Sequence, residues 1–493
     1  TGNVAVGALA LDANTTADKN TAIGYSALSA NTTGASLTAI GYNALASNTT
    51  GLYNVAVGMD ALLQNTTANN NVAVGMRSMF VNTTGAGNVG VGFFTLNQNT
   101  TGASNVAIGS QALDANTTAS NNIAIGSAAL GANTTGTDNV AVGSGALDAN
   151  TTANSNTAIG RDALGANTEG IENVAVGRHA LLSSTTADAN TAVGARAGDA
   201  LTTGNQNTAI GNVALTSATT AAYNTGVGFR SLLNVTDSNY NTALGYETVR
   251  STTTGDNNVG IGAFALYSNT TANDNVAVGY DAVRNNTTGT RLVGVGRRAL
   301  KANTTANDNT ALGYHALELN TTGSENTAVG ANALDANTTG DGGAAFGLGA
   351  LGNNTTGAEN TALGTSSMQQ NTTGASNVGV GNQALKANTT ASNNTACGYK
   401  ALLSNTTGTL NTAVGTFAMD ANTTASGNEA FGYGSLSANT TGSPNTAVGT
   451  SCMSSNTTGG SNVAVGYQAL SANTTGSGNL ALGRQALASC TTG

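Results

Sequence analysis

The sequence predicts an all-β fold, a parallel β-solenoid (β-roll) of twenty-nine seventeen-residue repeats, and three observations predict it. The pattern Ala-[Val/Ile]-Gly ending at Gly7 returns at Gly24, Gly41, Gly58 and Gly75, and keeps that step to Gly466 and Gly483. Seventeen divides 493 into twenty-nine whole units, with no insertion or deletion. The segment before each Gly is β-branched at both ends, as in Thr21-Ala22-Ile23, which favours a strand. A fixed short period is the mark of stacked units that cannot bury themselves alone. No position breaks the register, so residues 1–493 read as one continuous repeat domain without an internal boundary.

The unit reads Asn-[Thr/Val]-Ala-[Val/Ile]-Gly-x-x-Ala-Leu-x-x-Asn-Thr-Thr-[Gly/Ala]-x-x, and its positions are numbered here by the first copy, residues 1 to 17. Position 3 is Asn except at Leu37, Leu292 and Gly343. Asn tolerates left-handed backbone and bonds its neighbours, so a corner ladder is expected there. Position 5 is always Ala or Gly, as at Ala5, Ala22 and Gly90, and must face a crowded space. Position 6 is always apolar, as at Val6, Ile23, Phe346 and Cys397. Position 7 is always Gly, which implies a positive φ or a close backbone approach. Position 11 is Leu, Met or Val in every copy but Gly198. Positions 6 and 11 thus carry the large apolar groups of the expected core. The Ala-Leu segment reads as a second short strand or a tight corner. Paired Thr, two Asn and Gly leave no amphipathic window for a helix.

Stacked in register about 4.8 Å apart, one unit per coil would give a rod on the order of 140 Å long. The core would be thin. Positions 4 and 6 share one strand face and position 5 the other, so both strand faces require cover. Lateral association of several chains would supply it, and a homotrimer is the favoured assembly.

Composition narrows the function. Charged residues are 8% and aromatics 4%, with no Trp and one Pro, Pro444. Disorder usually comes with high charge or much Pro, and a mean hydropathy of −0.06 leaves room for a core. The net charge of −9 and scattered basic residues argue against nucleic acid and against anionic membrane surfaces. No apolar run reaches the roughly 20 residues of a membrane helix, and no signal peptide is visible. The chain begins at Thr1 and reads as a mature form or a fragment. Its terminal units match the interior ones, so more chain or end-to-end polymerisation into a filament is expected on each side. Cys397, Cys452 and Cys490 occupy unlike positions of the repeat, which disfavours a disulfide or a metal site.

The string Asn-Thr/Val-Ala-Val/Ile-Gly, as in Asn20 to Gly24 and Asn462 to Gly466, resembles the repeat of the head domains of trimeric autotransporter adhesins (YadA-like heads). It is also similar to repeats in some phage tail-fibre proteins. The resemblance implies a trimeric left-handed parallel β-roll at a bacterial surface that binds host matrix. It covers the whole chain but about five positions of each unit. The adhesin coil is shorter and lacks the Asn-Thr-Thr-Gly segment, and no neck, stalk or anchor is present here. No binding residue is carried over.

Two surface features remain. Position 14 is Asn in 23 copies, and 22 of these read Asn-Thr-Thr, a formal N-glycosylation sequon. Candidate acceptors include Asn14, Asn31, Asn48, Asn65, Asn82, Asn269, Asn286, Asn303 and Asn473. Position 15, which a sequon leaves free, is Thr in all 29 copies, even beside Ser184, Leu201, Ala218, Val235 and Thr252. That favours a structural Thr ladder with Asn amides bonded along the stack over a glycan ladder. Eight of the twelve Tyr fall at position 8, among them Tyr25, Tyr42, Tyr280, Tyr399 and Tyr467. They form either an outward stripe that binds sugars or, as favoured, corner residues stacked on their neighbours. Regular Thr ranks also leave an ice-binding face open.

His179 and His315 both fall at position 9, eight units apart, and are expected to face solvent without a catalytic or metal role. The acids do not form the nonapeptide of calcium-binding β-rolls. No nucleophile–base pairing or phosphate loop stands out, and no cofactor is expected. The sequence therefore predicts the non-catalytic structural shaft of an extracellular fibre or surface adhesin, on a cell or virion surface. The alternatives are a glycan- or matrix-binding phage tail-fibre segment and a glycosylated filament subunit. Its partners are itself and, in the binding alternative, a host surface or glycans. Nucleic acid and membrane insertion are not expected.

Overall fold

The structure, a computed structural model, describes residues 2–492. It divides into two compact units, Thr1–Leu244 and Gly245–Gly493. In the first, strands β1 (Val4–Val6) to β15 (Thr242–Leu244) pair in parallel. The register is constant: Val4 opposes Thr21, Ala5 opposes Ala22 and Val6 opposes Ile23. In the second, strands β16 (Val259–Ile261) to β29 (Leu480–Leu482) do the same, from Val259 opposite Val276 to Val463 opposite Leu480. Each unit is a parallel β-solenoid, with paired residues seventeen apart. Among the described residues there is no helix, and each coil holds one strand of three or four residues. The Ala-Leu segment is the tight corner of the two alternatives, since turns occupy it throughout.

Alternation along the strand decides what lies inside. The middle residue points inward and is Ala or Gly; Ala22, Ala141 and Ala311 are fully buried. Its two neighbours point outward. Ile40, Ile125 and Ile159 at position 6 are each more than a third exposed. The expectation that position 6 fills the core is therefore corrected. A chamber lined by Ala on one wall admits one large apolar group per coil, and position 11 supplies it: Leu28, Leu130 and Leu317 are fully buried.

That leucine sits in unusual backbone. Leu28 has φ 52° and Leu317 φ 51°, left-handed values that cost an L-residue about 1–2 kcal/mol. The stack holds it there, because the Leu28 N–H donates to Ala44 O (3.1 Å) in the next coil. Positions 2 and 9 also have positive φ, as at Ser36 (56°) and Asn43 (54°). These turns let the chain close a coil in so few residues. Gly7 stands at φ 131°, and a Cβ there would lie 2.5 Å from Gly24 O. Both conformation and space require the glycine.

Polar side chains complete the interior. At position 3, Asn20 Nδ2 donates to Gly34 O (2.9 Å), and its Oδ1 accepts from Leu37 N (3.0 Å). At position 14, Asn31 Nδ2 donates to the same Gly34 O (2.9 Å), and its Oδ1 accepts from Asn48 Nδ2 (2.9 Å). Two buried asparagine ladders thus meet on one carbonyl per coil. Buried amides are costly unless paired, and here pairing is built into the repeat.

Candidate functional site

The asparagines of the sequons are interior groups. Asn31, Asn48, Asn65, Asn82, Asn269, Asn286, Asn303 and Asn473 are fully buried, and Asn14, in the first coil, is half-buried. Their amide nitrogens are engaged, as in Asn82 to Asn65 Oδ1 (3.0 Å) and Asn303 to Asn286 Oδ1 (3.0 Å). Asn473 does the same to Asn456 Oδ1 (2.8 Å), and Asn269 donates to Ala272 O (3.1 Å). Asn14 Nδ2 donates to Ala17 O (3.3 Å). A glycan on such a nitrogen would have to displace these bonds.

The invariant Thr beside them forms the expected ladder. Thr32 donates both its N–H and its Oγ1 to Thr49 O, each at 3.0 Å. Thr33 N adds a third donor to that oxygen at 3.2 Å. A hydroxyl aimed along the stack from a β-branched residue is what position 15 requires.

The outward strand face leaves apolar side chains exposed. Position 4, which is Val or Thr except at Ile123, Ala344, Glu429 and Leu480, alternates with Val, Ile, Leu, Phe or Cys397 at position 6, giving a mostly apolar strip in each unit. Phe346, Leu363 and Phe431 widen it in the second unit.

The position 8 tyrosines are exposed throughout, with Tyr25, Tyr42, Tyr280, Tyr399 and Tyr467 each open by 43–52%. Tyr25 and Tyr42, in adjacent coils, stack face to face at 5.4 Å and 12°. Tyr280 meets Phe264 edge to face at 6.0 Å, and Tyr399 meets Phe417 at 5.4 Å. Arg484 lies over the Tyr467 ring at 5.8 Å. The three remaining position 8 tyrosines, Tyr246, Tyr314 and Tyr433, are likewise exposed.

Acids gather in one place in the first unit. Position 12 runs Asp114, Gly131, Asp148, Gly165, so that a glycine separates the acids. Both carboxylates lean over Gly131: a Cβ there would lie 2.9 Å from Asp148 Oδ1 and 3.6 Å from Asp114 Oδ1. Burial, and then the charge of Asp148, hold Asp114 above the ordinary Asp value. Burial and Asp162 do the same to Asp148. Next to them a cavity of about 390 Å³ is lined by Gly145, Asp148, Asp162 and Leu182. Residue type alone does not single out this group, because the acids look scattered until position 12 is read as a column.

Histidines differ from expectation. Neither faces open solvent: the His179 and His315 side chains are 24% and 18% exposed. His179 Nε2 lies 3.3 Å from Asp162 Oδ2, and His315 Nδ1 lies 2.8 Å from Glu318 Oε2. Among the described residues no three His, Cys, Asp or Glu side chains gather as metal ligands. Cys397, Cys452 and Cys490 are free, and burial pushes the Cys452 thiol up to about 11. No helix among the described residues is long and apolar enough to cross a membrane. No protein-family model matches this chain, and no curated protein matches it.

Proposed function

We propose that the chain is the non-catalytic structural shaft of an extracellular fibre or surface adhesin, and that it works as a homotrimer. The observation that carries this reading is the outward strip of positions 4 and 6. A soluble chain rarely leaves so long an apolar strip in water. Three residues of strand and one coil rise give about 50 Å² per coil, so fourteen coils offer about 700 Å², near the ~800 Å² per partner of a stable interface. Three such strips facing a common axis would cover one another, and the adhesin-like string Asn20 to Gly24, whose resemblance implies a trimer, contains the strip. The buried amides of Asn31 and its equivalents support a packing role over a glycan-carrying one. An extended stack has no need of a catalytic group, and a location outside the cell fits a fibre.

Light scattering on the purified chain tests the assembly. The expected mass is three times the 48.1 kDa of one chain. Ile108→Lys with Ile159→Lys, Leu312→Lys and Leu363→Lys, which break the strip in both units, should give monomers with unchanged β content. A wild-type monomer overturns the reading.

A further inference from the structure

The position 8 tyrosines of the second unit carry a pattern that neither the shaft nor self-stacking explains. Tyr246, Tyr280 and Tyr314 occur every thirty-four residues, which is every second coil. Tyr399, Tyr433 and Tyr467 occur at the same interval. The coils between them place Ala263, Arg297, Thr416 and Thr450 at position 8. The bracing is copied as well. Phe264, at position 9 of an intervening coil, packs edge to face on Tyr246 (5.4 Å, 78°) and on Tyr280 (6.0 Å, 84°). Phe417 repeats this with Tyr399 (5.4 Å, 82°) and Tyr433 (6.2 Å, 88°). The second constellation is the first displaced by 153 residues, nine whole coils.

Spacing decides what the rings are for. Two coil rises come to about 10 Å, beyond the 4.5–7 Å at which aromatic rings stabilise each other. The tyrosines of one run therefore do not stack on one another, and Phe264 or Phe417 bridges only two of the three. Each is 43–57% exposed, so about half of every ring is open. A phenylalanine fixes the angle of two rings in each run. Other neighbours brace the rings too: His315 stacks on Tyr314 (3.7 Å, 13°), Lys400 lies over Tyr399 (5.1 Å) and Arg484 over Tyr467 (5.8 Å), so each run is a braced platform with part of every tyrosine exposed.

We propose that each run is a binding platform for an extended β-1,4-linked glycan lying along the stack. The apolar C–H face of a pyranose stacks on an aromatic ring. In a β-1,4 chain alternate sugars turn over, so the same face recurs once per disaccharide, and two coil rises of about 10 Å match that interval. Three tyrosines then engage sugars one, three and five. An α-1,4 chain coils and loses the register. Position 8 lies beyond the Gly turn, off the strip of positions 4 and 6, so the platform does not compete with the interface proposed above. This inference does not rest on the shaft reading, and monomer or trimer would bind alike.

Titration calorimetry of the full chain with cellohexaose, N-acetylated chitohexaose and maltohexaose tests it. At least one β-linked hexasaccharide should bind, and maltohexaose should not. Tyr280→Ala with Tyr433→Ala should weaken binding about fivefold at both platforms, from the one ring contact that each run loses. Tyr280→Phe with Tyr433→Phe should retain binding. Tyr25→Ala with Tyr42→Ala should change nothing, which separates a lost ring from a disturbed fold. Moving the ring one coil, Tyr280→Ala with Arg297→Tyr, should fail to restore affinity in that run. Binding of neither β-linked sugar, equal binding of maltohexaose, or wild-type affinity in the double alanine variant would each overturn the proposal.

Discussion

The two units share one coil and treat its interior differently. In the second, the position 14 ladder runs without a break from Asn269 to Asn473, each Nδ2 donating to the Oδ1 of the preceding coil. In the first it runs from Asn31 to Asn167 and stops. Ser184, Leu201, Ala218 and Val235 follow, all buried. Asn167 Oδ1 and Ser184 Oγ, at the break, are buried without a partner, and so is Asn473 Oδ1 at the far end of the other ladder. Leu201 stands where the same coil has Gly198 at position 11, so one leucine has in effect moved three residues along the chain. An amide ladder is therefore exchangeable for apolar packing, and the cost falls on its open end.

The largest effect should come from breaking the continuous ladder. Asn320→Ala removes the donor to Asn303 Oδ1 (3.2 Å) and the acceptor of Asn337 Nδ2 (2.9 Å). Asn303 Oδ1 keeps only the long bond from Asn309 Nδ2 (3.5 Å), and a buried carbonyl left so poorly paired costs about 1–3 kcal/mol. Urea unfolding should shift by that amount, and amide exchange should quicken in the coils around Thr321 and Thr338. Ser184→Ala, at the existing break, should cost almost nothing. Equal losses at the two sites would erase the distinction between them.

A smaller effect of opposite sign tests the same contrast. Ser184→Asn would give Asn167 Oδ1 its missing donor and remove an unpartnered hydroxyl. It would also move the open end to its own Oδ1, since Leu201 follows. The expected net gain is within about 1 kcal/mol, read from the urea midpoint. Destabilisation would mean that the apolar stretch after Ser184 is packed too tightly to accept an amide.

Much of this was legible in the sequence, and the illegible part has a physical reason. Gly7 and its equivalents announce a position where a side chain would strike the next coil. Thr at position 15, unchanged beside Leu201 and Val235, announces a hydroxyl bonded along the stack. What residue type does not reveal is which strand face is inside. Thr21 and Ile23 look like core beside Ala22, yet the alanine is the buried one because the chamber is narrow. Nor does propensity place Leu28 in left-handed backbone, where stacking bonds outweigh local strain. The acids over Gly131 and the two-coil interval of the tyrosines are invisible between consecutive copies, because each pattern repeats only in every second one.

The smallest effect concerns that two-coil alternation in the first unit, where Asp114 and Asp148 face each other across Gly131. Each is held above the ordinary Asp value, first by burial. The folded pKa exceeds the unfolded one, so the folded chain binds protons more readily. The pair is then least damaging below the unfolded value of about 3.9, and stability is lost as pH rises through the folded pKa. Asp148→Asn removes one of the two charges. It should raise the melting midpoint at pH 7 slightly, and the gain should shrink to nothing near pH 3. Asp308→Asn provides the inverse, because the side-chain hydrogen bond from Arg291 holds that exposed carboxylate below its ordinary value. A loss of midpoint in Asp148→Asn at neutral pH would show that the acids over Gly131 are held by a partner and do not merely repel each other.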